Sequence, residues 1–181
     1  MARSLAASVL AALTTAAASP VETPSEYEVK AAFLVNFARF VEWPESSFAR
    51  NQGVLTIGIL GTDPFGPAAR DLLEGKILGS RTLTVLRFAD LEEVQPVQIL
   101  FVNGLDAAHV PQLLERLHGS AVLTVGDKEG FARAGFVINF VLEQNRVRFE
   151  VNPEAAKRVG LKISSKLLSV AKVVVPDAGR R

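Results

Sequence analysis

Cys and His, the usual ligands of a structural zinc, are few in this chain of 181 residues. It has no Cys and two His, His109 and His118, which lie nine positions apart and belong to no H-E-x-x-H or similar ligand pair. His118 precedes Gly119 at a predicted helix end, where an imidazole interacts favourably with the helix dipole, so we interpret it as a capping residue. The sequence therefore predicts no metal centre and no cofactor.

Ser164, Ser165 and Lys166 form the grouping that comes nearest to a serine nucleophile with its base. A lysine can activate a serine, but the chain has no G-x-S-x-G elbow. The surrounding stretch, LKISSKLLSVAKVV, has the pattern of an amphipathic helix, and Ser and Lys are ordinary residues on the solvated face of such a helix. We predict no catalytic residue, with an enzyme of unfamiliar type as the remaining alternative.

Polar residues follow the ends of several predicted strands. Thr62 and Asp63 come after VLTIGIL, Asn103 after VQILFV, and Asp127 with Lys128 after AVLTV. Because the loops beyond the carboxyl ends of parallel strands gather at one edge of a sheet, these residues form a candidate ligand crevice. The simpler interpretation is that the two Asp cap helices and that Asn103 forms a turn with the following glycine. The glycines of GTDPFG lack the spacing of a phosphate-binding loop.

An N-terminal helix is expected over EYEVKAAFLVNFARFVEWP. Ser25 and Glu28 have the spacing of a capping box at its start, and Trp43-Pro44 ends it, since proline disfavours helical geometry in the preceding residue. One apolar stripe recurs at steps of three and four residues and consists of Val29, Phe33, Phe37, Phe40 and Val41.

Short apolar strands alternate with helical segments from residue 54 to residue 125. Asp63-Pro64 has the arrangement of a helix start, and the helix that follows ends near Gly75. Strands that alternate with helices indicate parallel crossovers. We therefore predict an α/β fold, a three-layer α/β/α sandwich with a mostly parallel sheet.

The C-terminal part predicts a β-hairpin followed by a covering helix. Residues 136–142 are nearly all apolar, whereas in the next strand Arg146, Arg148 and Glu150 alternate with apolar residues, so this strand has one wet face. Gln144-Asn145 forms the turn, Asn152-Pro153 starts a helical region, and LKISSKLLSVAKVV continues it as the covering helix. The wet face is a candidate partner surface, or else simply the outside of a sheet.

The first residues indicate export. Arg3, the apolar run from Leu5 to Ala18 and the small residues Ala16 and Ala18 are typical of a cleaved secretory signal, and the run is too short and too rich in Ser and Thr for a membrane anchor of about 20 apolar residues. Loss of Arg3 would bring the 20 basic residues level with the 19 acidic ones, so no electrostatic reason exists to expect nucleic acid as a partner. We predict a signal peptide at 1–18, a tail at 19–25, a single domain at 26–175 and a tail at 176–181, with the absence of Cys fitting a periplasmic location.

Three stretches together resemble the YfiR/HmsC-like periplasmic proteins, namely KAAFLVNFARFVEWP, GTDPFG and INFVLEQNRVRFEVNPEAAKRVGLKISSKLLSVAKVV. The similarity runs from Tyr27 to Val175, and its last block is the most specific. The resemblance implies a non-enzymatic repressor that binds the periplasmic part of an inner-membrane diguanylate cyclase and limits cyclic-di-GMP and biofilm formation. It also implies sequestration by an outer-membrane OmpA-like lipoprotein and formation of a homodimer.

The sequence departs from the family pattern in two respects. It has no Cys, so redox control through disulfides does not carry over, and Thr62 stands where an acidic residue is common. The alternative function is a periplasmic small-molecule sensor or carrier, whose ligand would lie in the crevice beyond the parallel strands.

Overall fold

The computed structural model describes residues 24–49 and 52–173. The predicted signal peptide and the tail at 176–181 lie outside the described residues. The helices are α1 (Glu26–Phe40), α2 (Pro67–Leu73), α3 (Val110–Arg116), α4 (Pro153–Arg158) and α5 (Ser165–Leu168). The strands are β1 (Val41–Glu42), β2 (Val54–Gly61), β3 (Ile77–Leu78), β4 (Arg81–Phe88), β5 (Ile99–Asn103), β6 (Leu123–Gly126), β7 (Ile138–Glu143), β8 (Arg146–Val151), β9 (Lys162–Ile163) and β10 (Lys172–Val173).

Eight of these strands form one sheet in the order β10-β8-β7-β6-β5-β2-β4-β3. Neighbouring strands from β4 through β2, β5 and β6 to β7 are parallel, and β7 with β8 forms the antiparallel hairpin. A separate two-stranded sheet joins β1 to β9. The predicted α/β sandwich with a mostly parallel sheet and a C-terminal hairpin is confirmed.

The central strands are buried on both faces because apolar side chains leave each face in turn. Ile57 and Ile59 of β2 belong to the larger core cluster, with residues of α1, α2, α4 and α5, whereas Leu60 belongs to a second cluster with Val110 and Leu113 of α3. This double burial requires helices or loops on both sides, as in other parallel sheets.

Helix α1 begins as the sequence predicts and ends earlier. The capping box is confirmed, since the Ser25 hydroxyl accepts from the Glu28 N–H and the Glu28 carboxylate accepts from the Ser25 N–H. The prediction that the helix reaches Trp43 is wrong, because Val41 is extended and pairs with Ile163 of β9. The centre of the stripe also differs: Lys30, Ala31, Leu34, Phe37 and Ala38 are buried, while Val29, Phe33 and Phe40 are half-buried.

The long covering helix expected over residues 161–174 is wrong. Asn152 does cap α4 and Pro153 does begin it, but Gly160 has a φ of 73° and the chain then extends into β9. Ser164, expected inside a helix, is the N-cap of the four-residue α5, and its hydroxyl accepts from the Leu167 N–H. Leu167 is buried in the larger core, so α5 covers the sheet only locally.

Candidate functional site

Thr62 and Asn103 lie side by side at the carboxyl ends of β2 and β5. Gly61 is the register partner of Asn103, and the Asn103 side-chain amide donates to the Thr62 carbonyl at 2.8 Å. Together with neighbouring loop residues they line an open depression of about 420 Å³. The Asn103 amide is thus already used to hold the loop that follows β2.

The Asp63 carboxylate accepts hydrogen bonds from three donors within the protein. It accepts from the Phe65 N–H at 2.9 Å, from Arg87 Nε at 2.7 Å and from Arg70 Nη2 at 3.2 Å. Burial alone would raise the pKa of Asp63, but the hydrogen bonds from Arg87 and Phe65 hold it below its ordinary value. Its interpretation as a helix cap is wrong, because α2 begins at Pro67 and has Gly66 as its N-cap.

Asp127 contacts a different part of the molecule, the first turns of α1. Its carboxylate accepts from Lys30 Nζ at 2.7 Å and from the Tyr27 hydroxyl at 3.3 Å, and Lys30 also pairs with Glu26. No helix begins at Asp127, since the segment after β6 consists of turns, so the cap interpretation is wrong here too. Lys128 is exposed in that segment.

Lys30 carries a buried charge in this cluster, with 4% of its surface exposed. Burial alone would lower the pKa of Lys30, but the hydrogen bonds to Asp127 and Glu26 raise it above its ordinary value. The ammonium group also lies 4.5 Å from the centre of the Tyr27 ring. Burial and the adjacent Asp127 carboxylate raise the pKa of Tyr27 in turn.

Tyr27 contacts both the loop that contains Asp63 and the carboxylate of Asp127. Its ring meets Phe65 edge-on at a centroid distance of 5.8 Å, while its hydroxyl reaches Asp127. Side chains of α1 therefore lie against the loops that were expected to surround a ligand. The structure joins the predicted crevice residues to cationic and aromatic partners that sequence reasoning missed, among them Tyr27, Lys30, Arg70 and Arg87.

The position of Lys30 in the sequence could have revealed its role. Lys30 precedes Leu34 by four residues and Phe37 by seven, which places it on the same helix face as these core residues. A lysine on a buried face requires an anionic partner, because an unpaired buried charge is costly. That rule predicts the pairing without identifying Asp127, which is 97 residues away.

Asn139 is a second buried polar residue at this end of the sheet. It is fully buried on β7 between Gly126 of β6 and Glu150 of β8, and neither polar atom of its side chain has a partner among the described residues. A β-carbon at Gly126 would lie 2.7 Å from Asn139 Oδ1, so only glycine fits beside it.

We expect Asn139→Val to raise the free energy of unfolding by about 1 kcal/mol, because an unpaired buried amide is replaced by an apolar side chain. Urea denaturation measures the change. Asn152→Val is the matched control, since Asn152 is equally buried but its amide donates to the Ala132 carbonyl and its oxygen accepts from the Ala155 N–H. The control should be destabilised, and a similar loss at Asn139 would contradict the prediction.

The predicted partner residues lie on one face of the hairpin. Gln144 and Asn145 form its turn with φ of 49° and 60°, which confirms the expected two-residue connection. Cross-strand pairing puts five charged side chains on this face, and we call them the hairpin face: Glu143, Arg146, Arg148, Glu150 and Lys172.

The charges of the hairpin face are unequally paired. Lys172 Nζ lies 3.5 Å from Glu143 Oε1 and 3.7 Å from Glu150 Oε1. Arg146 and Arg148 are exposed, and neither has an ion-pair partner among residues 24–49 and 52–173. Two guanidinium groups are therefore free to bind an anionic group from outside the molecule.

Within the described ranges, no three or more His, Cys, Asp or Glu residues are grouped so that they could hold a metal ion. Across the same ranges, no helix combines the length and the apolar character needed to cross a membrane.

The fold and the hairpin face define an α/β sandwich domain whose C-terminal hairpin presents charged side chains on one face. A family model described as YfiR/HmsC-like matches residues 27–172, and the chain belongs to this family. The family consists of periplasmic regulators of diguanylate cyclase signalling.

Individual proteins resemble the chain less clearly than the family model does. No curated protein matches the chain, whereas nine chains of solved structures do. One of them is a crystal structure of the ABC domain in complex with L-Trp from Streptococcus pneumonia, with 14% sequence identity and a TM-score of 0.48. The match covers 72% of this chain and 60% of the other, so the chain spans less than two thirds of that structure's length.

Proposed function

We propose that this protein is a non-enzymatic periplasmic regulator that binds the periplasmic part of an inner-membrane diguanylate cyclase and limits cyclic-di-GMP synthesis and biofilm formation. The observation that carries the proposal is membership of the YfiR/HmsC-like family over residues 27–172. Export through a cleaved signal at residues 1–18 supplies the compartment that this role requires. Sequestration by an OmpA-like lipoprotein and formation of a homodimer belong to the same proposal.

The hairpin face supplies a surface suited to such binding. Arg146 and Arg148 lie two positions apart on one strand face. The nearby carboxylates of Glu143 and Glu150 pair with Lys172 and not with these arginines. Complementary charge guides the approach of a partner and fixes its register more than it adds to affinity. A regulator that must release its partner on a signal is well served by contacts of this kind.

A small-molecule sensor is the weaker candidate. Asp63, Asn103 and Asp127 already accept or donate hydrogen bonds within the protein, so a ligand would have to displace Arg87, a loop carbonyl or Lys30. A thermal-shift screen with periplasmic metabolites tests this candidate, and it gains support if a compound stabilises the wild type but not Asn103→Ala.

Deletion of the gene is expected to raise cyclic-di-GMP and surface adhesion, because the cyclase loses its repressor. Complementation with the wild type should restore both, whereas the Arg146→Glu/Arg148→Glu double variant should fail. That variant should also bind the cyclase's periplasmic domain about tenfold more weakly, through the loss and reversal of two exposed charge contacts.

The matched control is Arg39→Glu, which reverses an exposed arginine of α1 that has no ion-pair partner among the described residues. It should complement as the wild type does. Unchanged cyclic-di-GMP after deletion, in cells that express a diguanylate cyclase encoded next to this gene, would contradict the proposed function. If the double variant bound the cyclase as tightly as the wild type, the hairpin face would not be the binding surface.

A further inference from the structure

The outer edge of β8 is covered along only part of its length. β10 pairs with β8 in parallel at Glu150 and Val151, the register partners of Lys172 and Val173. No described strand lies beside the preceding residues, Arg146 to Phe149, and we call this stretch the free edge of β8. The free edge is the start of β8 and carries Arg146 and Arg148.

The chain before β10 turns away from the free edge. In continued register, Ala171 and Val170 would face Phe149 and Arg148, but their N–H groups instead donate to the carbonyls of Leu168 and Leu167 in the turn that ends α5. β10 itself pairs only with the far end of β8, at Glu150 and Val151. Within residues 24–49 and 52–173, no strand occupies the position beside the free edge, which is where a strand from another molecule would add.

Backbone groups on the free edge point outward. The residues that flank a two-residue turn, here Glu143 and Arg146, form a hydrogen-bonded pair, and in an antiparallel ladder such pairs alternate with pairs that are not hydrogen-bonded. The N–H and C=O groups of Val147 and Phe149 therefore point away from β7. Such a row of unpaired backbone groups is a template for an added strand.

The side chains beside the free edge specify what such a strand would carry. On the hairpin face an added strand meets Arg146 and Arg148, which form no ion pair with any described residue, so acidic residues are favoured there. On the opposite face it meets half-buried Val147 and buried Phe149, next to Leu142 with 55% of its surface exposed, so apolar residues are favoured there. Alternation of side chains along a strand converts these two faces into an alternating sequence.

At the opposite edge of the sheet, the exposed arginine of the partly covered strand is already in ion pairs. β4 is also covered only in part, since β3 pairs with its first residues, Arg81 and Thr82. Its exposed Arg87, however, is already paired with Asp63 and Glu74. An acidic segment would gain less there than at the free edge of β8.

We propose that the regulated partner contributes an extended segment of alternating acidic and apolar residues, which adds a β-strand to the free edge of β8. This inference rests on the proposed function, because the segment belongs to the cyclase's periplasmic part. Main-chain hydrogen bonds to Val147 and Phe149 give the complex its affinity, and the two arginines select acidic side chains at alternate positions.

Val147→Pro tests the added strand directly. It removes an outward N–H without removing a hydrogen bond of the β7–β8 ladder, and proline is accepted at such edge positions. Val147→Thr is the matched control, because it keeps the N–H group, the β-branch and nearly the same volume. We expect the mature wild type and Val147→Thr to bind the periplasmic domain of the cyclase encoded next to the gene alike, and Val147→Pro to bind about tenfold more weakly.

Amide hydrogen exchange followed by NMR provides a second measurement, which does not depend on the variant. The amides of Val147 and Phe149 should exchange rapidly in the free protein and become protected in the wild-type complex. Binding by the wild type with no protection of these amides, or equal binding by folded Val147→Pro, would overturn strand addition and leave the proposed function intact. Failure of the wild type to bind would overturn both.

Discussion

Lys30→Met is expected to lower the free energy of unfolding by about 3 kcal/mol, since it leaves the Asp127 carboxylate without its cationic partner in a nearly buried site. The Asp127 side chain is 11% exposed, so water can only partly replace the lost ammonium group. Methionine fills a similar volume, and the loss therefore reports the charge pairing rather than a cavity. Urea denaturation of the two proteins at neutral pH measures the difference.

Lys157→Met is the matched control, because Lys157 is an exposed helical lysine in the last turn of α4. Its replacement should change stability by less than about 0.5 kcal/mol. A double-mutant cycle with Asp127→Leu separates the pair from its surroundings, and the double variant should lose less than the sum of the single changes. Equal losses at Lys30 and Lys157 would show that the buried pair contributes nothing measurable.

The pH dependence of the same pair has a definite sign. The folded-state pKa of Lys30 is raised, so its contribution to stability is complete below the unfolded lysine pKa of about 10.4 and is lost as pH rises through the folded value. The difference between the wild type and Lys30→Met should therefore be constant from about pH 6 to pH 9 and shrink only in strong alkali. The raised pKa of Tyr27 likewise makes the folded wild type less stable as pH rises through strong alkali.

Local sequence patterns were sufficient to predict the caps and turns whose hydrogen bonds join residues close in sequence. The capping box of Ser25 and Glu28, the turn at Gln144-Asn145 and the cap at Asn152 each satisfy their backbone groups locally. The alternation of strands and helices likewise fixed the parallel sheet, because parallel neighbours need crossover connections. These features define the fold class and place Arg146, Arg148 and Glu150 on one strand face.

Long-range pairing decided the elements that the sequence did not reveal. Val41 continues an apolar helical stripe, yet it becomes a strand because Ile163 offers a partner across the fold. Residues 161–174 have the apolar spacing of a helix, but Gly160 and the cap at Ser164 divide them into β9, α5 and β10. For β1 and β9 the helical period of the sequence could not show the competing strand pairing, since the paired residues lie more than 100 positions apart.

In the candidate crevice, too, the sequence could not predict which side chains from distant elements would pair. Strand order correctly placed Thr62 beside Asn103 at the carboxyl edge. It could not identify Arg87 as the partner of Asp63 or Lys30 as the partner of Asp127, because each partner comes from another element. Those pairings assign both carboxylates a structural role, and Asp63 allows this to be tested.

Asp63→Asn is expected to lower the free energy of unfolding by about 2 kcal/mol at pH 7, because hydrogen bonds from Arg87 and Arg70 lose their charged acceptor. The asparagine oxygen can still accept from the Phe65 N–H, so the local turn is retained. Asp71→Asn is the matched control, since Asp71 is an exposed residue of α2 with no ion-pair partner among the described residues. It should leave stability within about 0.5 kcal/mol of the wild type.

The effect of Asp63→Asn should vanish in acid. The folded-state pKa of Asp63 lies below its ordinary value, so the stabilisation is complete above the unfolded aspartate pKa of about 3.9 and is lost as pH falls through the folded value. Urea denaturation should give the same difference at about pH 7 and pH 5 and a smaller one near pH 3. High salt should also reduce it, because Arg70 and Arg87 are 46% and 43% exposed. A difference that persists unchanged in acid would mean that the carboxylate is not stabilised by its arginines, and would return Asp63 to the set of residues available for a ligand.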